Sequence, residues 1–300
     1  MRPTVALLLS LFLASPSWGW NATGHRVVAA IAYDHLTAKA RARVDELLRA
    51  HPDYGSLLPR SSSGSGERDA FLAAAVWPDV IKGDNRFYDD TRENAKPTPL
   101  LPGFPTMARH TNWHYVDVPF SPDGTPTEPV KPPNALEQLR RILKSRIDSY
   151  DLAWLLHIEG DVHQPLHCVS RFTKSVPKGD AGGNQVFVTP GRNLHAVWDD
   201  AAGTDASNDY VNRYASEATA AFVKQHGDHP RVSRDPKKWI DEGVALAQHD
   251  VYTFGTETGS RDHPVSLPQG YQQHGSEIAR GQLALAGFRL ASVLNQKLGR

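Results

Sequence analysis

One stretch constrains this chain more than any other: Asp151-Leu-Ala-Trp-Leu-Leu-His-Ile-Glu-Gly-Asp-Val-His-Gln-Pro-Leu-His167. It reads as an apolar helix over residues 151 to about 163, ended near Pro165, which cannot continue the backbone ladder. Positions i and i+4 share a helix face, so His157 and Asp161 reach one point together. A second histidine, His167, arrives just past the break. A lone His-x-x-x-Asp pair is more often a hydrogen-bonded boundary pair than a metal site, so the meaning of this helix depends on what the rest of the chain brings to it.

Composition narrows the classes. A chain of 300 residues can bury a substantial core. Its first nineteen residues are expected to be a signal peptide: Arg2 precedes an apolar run from Val5 to Ala14, and Ser17-Trp18-Gly19 offers small residues at the −3 and −1 positions of a cleavage site. That run is too short to span a bilayer, and no later stretch is long and apolar enough. The expectation is a secreted or periplasmic protein without stable membrane insertion, whose mature chain starts at Trp20. Acidic and basic residues number 33 each, which excludes a broad basic surface of the kind that coats a duplex. Cys168 is the only cysteine, so no intrachain disulfide can form even in an oxidising compartment. Fourteen histidines are the one compositional pointer to metal chemistry.

Patterning is helical. Apolar periodicity predicts helices over 27–36, 38–50 with Thr37 as cap, 67–76, 134–150 with Asn134 as cap, 151–163, 207–225, 237–252 and 276–298, and a helix beginning near Asn193. Residues 61–66 read as a polar surface loop, 83–109 and 122–133 as long Pro-containing loops, 114–119 as a brief extended segment, and 182–188 as a glycine turn leading into a short strand. The predicted fold class is all-α, a single globular multi-helix domain over 20–300 with long loops and at most a short β-hairpin.

His195 and Asp199 repeat the spacing of His157 and Asp161. Together with His25, Asp79, His114 and His167, these residues form a set of imidazoles and carboxylates suited to zinc. A free amine on Trp20 adds an unusual donor, since its ordinary pKa lies at about 7.7 to 8.0. The other histidines fare differently. His163 lies some 240° around an ideal helix from His157 and faces away. His35, His51, His110, His226, His229, His249, His263 and His274 lack a matching context and are expected at the surface or at helix caps. Cys168 is expected to be a small, partly buried side chain, with no activating partner. Arg140-Arg141 and Lys237-Lys238 read as solvated helix faces.

The set Trp20-Asn-x-x-Gly-His25, Trp77-Pro-Asp79, His114-Tyr-Val-Asp117, His157-x-x-x-Asp161-x-x-Gln-Pro-Leu-His167, Gly182-Gly-Asn184 and Asn193-Leu-His195-x-x-x-Asp199 resembles the fungal and plant single-strand-specific nucleases of the nuclease S-one/P-one type. That family is distantly similar to bacterial zinc phospholipase C. The resemblance extends from Trp20 to the C-terminal stretch Gly281-x-x-Ala-x-Ala-Gly287-x-Arg-Leu-Ala291. It implies three zinc ions: one held by Asp79, His114, His157 and Asp161, a second joined to it by Asp161 and held by His25 and the amine and carbonyl of Trp20, and a third held by His167, His195 and Asp199.

It also implies that Asp161 and Asp79 belong to the catalytic centre, that Lys82 stands where fungal members carry an Arg near the phosphate, that Tyr115 and Asp117 contact a nucleobase, and that Asn184 contacts substrate. Lys82 is a departure, a point charge without the bidentate fork of Arg. Three zinc ions and three aspartates leave about +3 at such a site, enough to draw in a phosphodiester without a basic surface. The implied activity is hydrolysis of single-stranded RNA or DNA to 5′-nucleotides, with 3′-nucleotidase activity, by a monomer. Two alternatives remain open at this stage: a zinc phospholipase C acting on lipid headgroups, and a non-catalytic periplasmic zinc-binding protein.

Overall fold

The computed structural model describes residues 19–56, 66–228 and 230–299. The leader expected over 1–19, apart from Gly19, lies outside the described residues, as do the polar loop expected at 61–66, apart from Gly66, and His229.

The helix over Ser149–Asp161, here α6, lies in the middle of the molecule, with every residue from Tyr150 to Asp161 buried. The Asp148 carboxylate caps it by accepting from the Asp151 N–H at 2.8 Å. To list the remaining helices in chain order: α1 is Ala22–Asp34, α2 Ala38–Arg49, α3 Gly66–Ala74, α4 Trp77–Val80 and α5 Ala135–Lys144, and after α6 come α7 Leu194–Asp199, α8 Asn208–His226, α9 Pro236–Leu246 and α10 Tyr271–Leu298. Helix α1 packs on α3, α6, α8 and α10. Its contact with α10 is close enough to need a glycine: a Cβ on Gly287 would stand 2.6 Å from Ile31 side-chain carbons. One contiguous apolar core runs from Trp20 to Leu294. Among the described residues no helix is long and apolar enough to cross a membrane.

The helical class holds, with four differences in detail. The helix expected over 134–150 stops at Lys144, because Ser145 turns extended and Asp148 starts a fresh helix. Helix α1 begins at Ala22 because Asn21 caps it, its side chain accepting from Thr23 and Gly24 N–H. The helix expected over 237–252 leaves α geometry at Leu246 and finishes in a π turn, Ala247–Val251. Helix α10 starts at Tyr271, ahead of the expected 276.

The strands are short. β3 (Phe187–Val188) and β4 (Arg192–Asn193) form the expected hairpin. A second pair, β1 (Val118–Phe120) with β2 (Val169–Arg171), is parallel, with Val118 opposite Val169. Parallel neighbours need a long crossover, and here α5 and α6 supply it. This pair fastens the turn bearing His114 to the turn bearing His167: the Val116 N–H donates to the His167 carbonyl at 2.9 Å and the Val118 N–H to the Cys168 carbonyl at 2.8 Å.

The long loop over 83–109 is pinned, as so long a loop in a compact domain requires. Arg86 donates to Asp53 at 2.8 and 3.1 Å, and Arg109 to the Phe87 and Asp84 carbonyls at 3.0 and 3.2 Å. Asp53 also accepts from the Trp77 indole at 2.8 Å. His51 corrects an expectation here: it is buried rather than at the surface, with its Nδ1 accepting from the Asp53 N–H at 3.1 Å and its ring edge-on to Trp77.

Candidate metal centre

Four elements converge on one buried point. Helix α1 brings His25, α4 brings Asp79, the 3-10 turn Thr111–His114 brings His114, and α6 brings His157 and Asp161. Asp161 sits between them. Its Oδ2 lies 3.0 Å from both His114 Nδ1 and His157 Nε2, and its Oδ1 lies 3.4 Å from His25 Nε2. Asp79 stands across from it, 3.7 Å from His157 Nε2 and 3.8 Å from His114 Nδ1. A second group lies beside the first. The 3-10 turn Pro165–His167 delivers His167, and α7 delivers His195 and Asp199, with His167 Nε2 at 3.0 Å and Asp199 Oδ1 at 3.6 Å from His195 Nε2. Three triads therefore have ligand atoms within 4.8 Å of one another: His25, His157, Asp161; Asp79, His114, His157; and His167, His195, Asp199.

The tautomers follow from the outer nitrogens. His157 Nδ1 lies 2.8 Å from the Ala75 carbonyl, His167 Nδ1 2.6 Å from the His114 carbonyl, and His195 Nδ1 2.7 Å from the Gly182 carbonyl. A carbonyl only accepts, so each Nδ1 carries the hydrogen and each Nε2 of a neutral ring presents a lone pair. His167 and His195 thus aim lone pairs at each other across 3.0 Å. No hydrogen bond resolves that contact, whereas a cation does, and outer-nitrogen carbonyl contacts are the usual support of metal-bound imidazole. Asp161 Oδ1, Asp79 Oδ2 and both ring nitrogens of His25 are buried without a hydrogen-bond partner. The donor set fits zinc.

The electrostatics point the same way. Burial alone would raise the Asp161 carboxyl, but His157, His167 and His114 outweigh it and hold the group well below the usual carboxylate range. Burial likewise opposes, and Lys82, His157, His114 and His25 overcome, so Asp79 is also lowered. Lys82 Nζ reaches Asp79 Oδ1 at 2.7 Å. Burial and Lys82 push His114 down to about 3, and burial and His167 do the same for His195. Asp199 goes the other way, raised well above its ordinary value by burial despite a hydrogen bond from Gln164.

The sequence profile described as S1/P1 Nuclease matches residues 20–299. The chain belongs to the S1/P1 nuclease family. Among its relatives, Endonuclease 5 of Arabidopsis thaliana is 26% identical over 317 residues, covering 97% of this chain and 95% of the relative. Nuclease S1 of Aspergillus oryzae is 24% identical over 315 residues, covering 95% and 94%. Endonuclease 3 of Arabidopsis thaliana is 27% identical over 317 residues, covering 97% and 93%. Family membership makes the protein a nuclease, a hydrolase of phosphoester bonds.

In this S1/P1 nuclease the eight side chains expected to be ligands, His25, Asp79, His114, His157, Asp161, His167, His195 and Asp199, are all buried and all in the cluster. Trp20 is fully buried beside them. A Cβ placed on Gly19 would stand 1.7 Å from Asp161 Oδ1 and 3.0 Å from His167 Cε1, so Gly19 lies directly against the cluster. Tyr115 and Asp117 line a cavity of about 210 Å³ with Asn112, Lys131 and Phe172. The Tyr115 hydroxyl donates to Asn112 at 2.8 Å. Asp117 holds a left-handed backbone, φ 56°, uncommon for a non-glycine residue, and burial together with Asp180 raises its carboxyl to about 7. Asn184 lies on the turn whose Gly182 carbonyl supports His195, and its amide donates to the Ala181 carbonyl at 2.8 Å.

Gln164 belongs to this nuclease's site; the sequence places it in the Gln-Pro-Leu-His167 motif but assigns it no role. Its amide nitrogen donates to Asp199 Oδ1 at 2.8 Å while its oxygen accepts from the Leu166 N–H at 2.6 Å, capping the turn that carries His167. One buried side chain thus ties two ligands of the second group together. A Gln directly before a Pro at a helix break was the available signal. His163 faces away as expected, and Cys168, expected to be partly buried, is fully buried, with its thiol raised by burial.

Proposed function

We propose that this nuclease is a secreted or periplasmic zinc-dependent phosphodiesterase, acting as a monomer, that hydrolyses single-stranded RNA or DNA to 5′-nucleotides and dephosphorylates 3′-nucleotides. The observation that carries the proposal is the pair of opposed lone pairs on His167 and His195, set beside ionised Asp161 and Asp79 with unpartnered oxygens. Asp79, His114, His157 and Asp161 would hold one zinc ion, Asp161, His25 and the amine and carbonyl of Trp20 a second, and His167, His195 and Asp199 a third. Bound there, zinc activates water near neutral pH and neutralises charge on the phosphodiester.

The chain's own groups supply the rest. Lys82, nearly buried against Asp79, offers a positive point charge to a phosphate oxygen. Asp79 is ionised and stands between Lys82 and the cluster, where it can orient the attacking water. Tyr115 offers a π-face and Asp117 a polar edge to one nucleobase, and Asn184 lies near enough to His195 to contact the sugar-phosphate chain. A base that must leave its stack to enter that cavity favours single strands, in which unstacking is least opposed.

The test is a matched assay of single-stranded RNA and DNA, duplex DNA, a 3′-mononucleotide and phosphatidylcholine vesicles, with metal content measured on the same preparation. Cleavage of the single strands and the 3′-mononucleotide, lost on chelation and restored by zinc, is expected. Turnover of the lipid alone would establish the phospholipase alternative, and bound zinc with no turnover on any substrate would establish a binding protein.

A further inference from the structure

A main-chain amine at a chain terminus is a demanding ligand. Termini fray unless something ties them down, and a ligand atom has to be held to within about half an ångström. Burial of the Trp20 indole holds its side chain, yet Nε1 has no hydrogen-bond partner. The bonds that fix the main chain come from the next residue. The Asn21 N–H donates to the Asp199 carbonyl at 3.3 Å, and its amide nitrogen donates to Asp200 Oδ1 at 2.7 Å and to the Gly203 carbonyl at 2.8 Å. Its amide oxygen accepts from the Thr23 and Gly24 N–H groups at 3.0 and 3.2 Å. Both amide hydrogens are used. Asp200 is itself held, accepting from Arg192 at 2.6 Å.

Asn21 therefore does two separable things. It caps α1, the helix that carries His25, and it tethers the start of that helix to the end of α7, where Asp199 sits. We propose that Asn21 is a positioning residue coupling the amino-terminal ligands Trp20 and His25 to the seat formed by His167, His195 and Asp199, so that the metal ions of the two groups are retained together. The inference rests on the zinc assignment proposed above. Coupling of this kind is reciprocal: freeing α7 loosens Trp20 as much as freeing Trp20 loosens α7.

Substitution can part the cap from the tether. Asn21→Ser keeps a good cap acceptor and loses the two amide donors, whereas Asn21→Ala loses both functions. The experiment titrates the mature, zinc-loaded protein with EDTA, reads zinc released per molecule with a chromogenic chelator, and records the Tm of the metal-stripped form. The parent is expected to release its ions in one step. Asn21→Ser is expected to keep a metal-stripped Tm within about 2 °C of the parent while releasing ions in separate steps, the first at about tenfold lower EDTA, the range typical of lost outer-shell support. Asn21→Ala should combine that early release with a lower Tm.

Release from Asn21→Ser that matches the parent overturns the inference. So does early release accompanied by a Tm loss as large as that of Asn21→Ala, which would reduce Asn21 to a cap. A parent protein that takes up no zinc sinks the zinc assignment itself, and that result is visible before any variant is compared.

Discussion

The end of helix α6 and the turn just beyond it carry two buried acid-histidine pairs at the same i, i+4 spacing, and they have opposite fates. On one face His157 and Asp161 meet His25, Asp79 and His114 from three other elements. On the other face Glu159 and His163 meet Arg289 of α10. His163 Nδ1 donates to the Glu159 carbonyl at 2.7 Å, and its Nε2 accepts from Arg289 at 2.9 Å, while Arg289 also pairs with Glu242 of α9. Burial raises the Glu159 carboxyl well above its ordinary value, although both its oxygens lack a partner; burial and Arg289 push His163 down to about 3. The back face thus disposes of its charges by neutralising them. The front face keeps Asp161 and Asp79 ionised, which is the state a cation requires of its carboxylates; burial lowers His25 and His114, while for His157 burial is outweighed by Asp161 and Asp79, which raise it. Residue type, spacing and burial are shared, so the difference lies in how many further donors converge and whether their lone pairs are already used.

The largest expected effect comes from breaking the front face. Asp161→Asn keeps the shape but removes the carboxylate that stands nearest to His25, His114 and His157, at 3.0 to 3.4 Å against 3.7 to 4.0 Å for Asp79. Loss of bound metal and a fall in kcat of at least about a hundredfold are expected, beyond the tenfold to hundredfold of an outer-shell change. Elemental analysis and single-strand cleavage check both, and full metal content with parental activity would remove Asp161 from the centre. On the back face, Arg289→Met leaves Glu242 and His163 without their cation. A stability loss of about 2 kcal/mol is expected, as for a hydrogen bond to a charged group, with metal content per folded molecule unchanged. Denaturant unfolding separates this from the first case.

The smallest effect sharpens the contrast. Glu159→Gln replaces a carboxyl that is already neutral in the folded chain. Because the folded-state pKa is raised, the parent's stability from this group is complete below the unfolded value, about 4.3, and is lost as pH rises above it. The metal-stripped variant should therefore match the parent near pH 4 and become the more stable of the two at pH 7 to 8, with thermal melts as the readout. A variant that is less stable at pH 8 would show that Glu159 is ionised and held by an unrecognised partner.

Much of this front face was legible in the chain. His157, Asp161, His195 and Asp199 stand out because i, i+4 spacing is a property of the helix itself, and the further ligands followed from motifs that match a family pattern. Elements whose limits are set by a cap beside an apolar run, such as α2 behind Thr37, were also legible. What escaped were features decided by groups far apart in sequence. The break between α5 and α6 hinges on Asp148 outcompeting a continuous apolar pattern. The parallel pairing of Val118 with Val169 has no local signal, because its partner lies beyond two helices. Arg289, Gln164 and Asn21 look like ordinary polar residues until the fold sets them against His163, Asp199 and Asp200. His51 was misplaced for the same reason, since only the fold brings Trp77 over its ring.

Gly19 gives the cluster a meaning in time as well as in space. Its backbone lies against Asp161 and His167 with no room for even a methyl group, so Gly19 and a filled centre compete for one volume. On the cleavage expected ahead of Trp20, one proteolytic event would both free the amine and take Gly19 out of that volume.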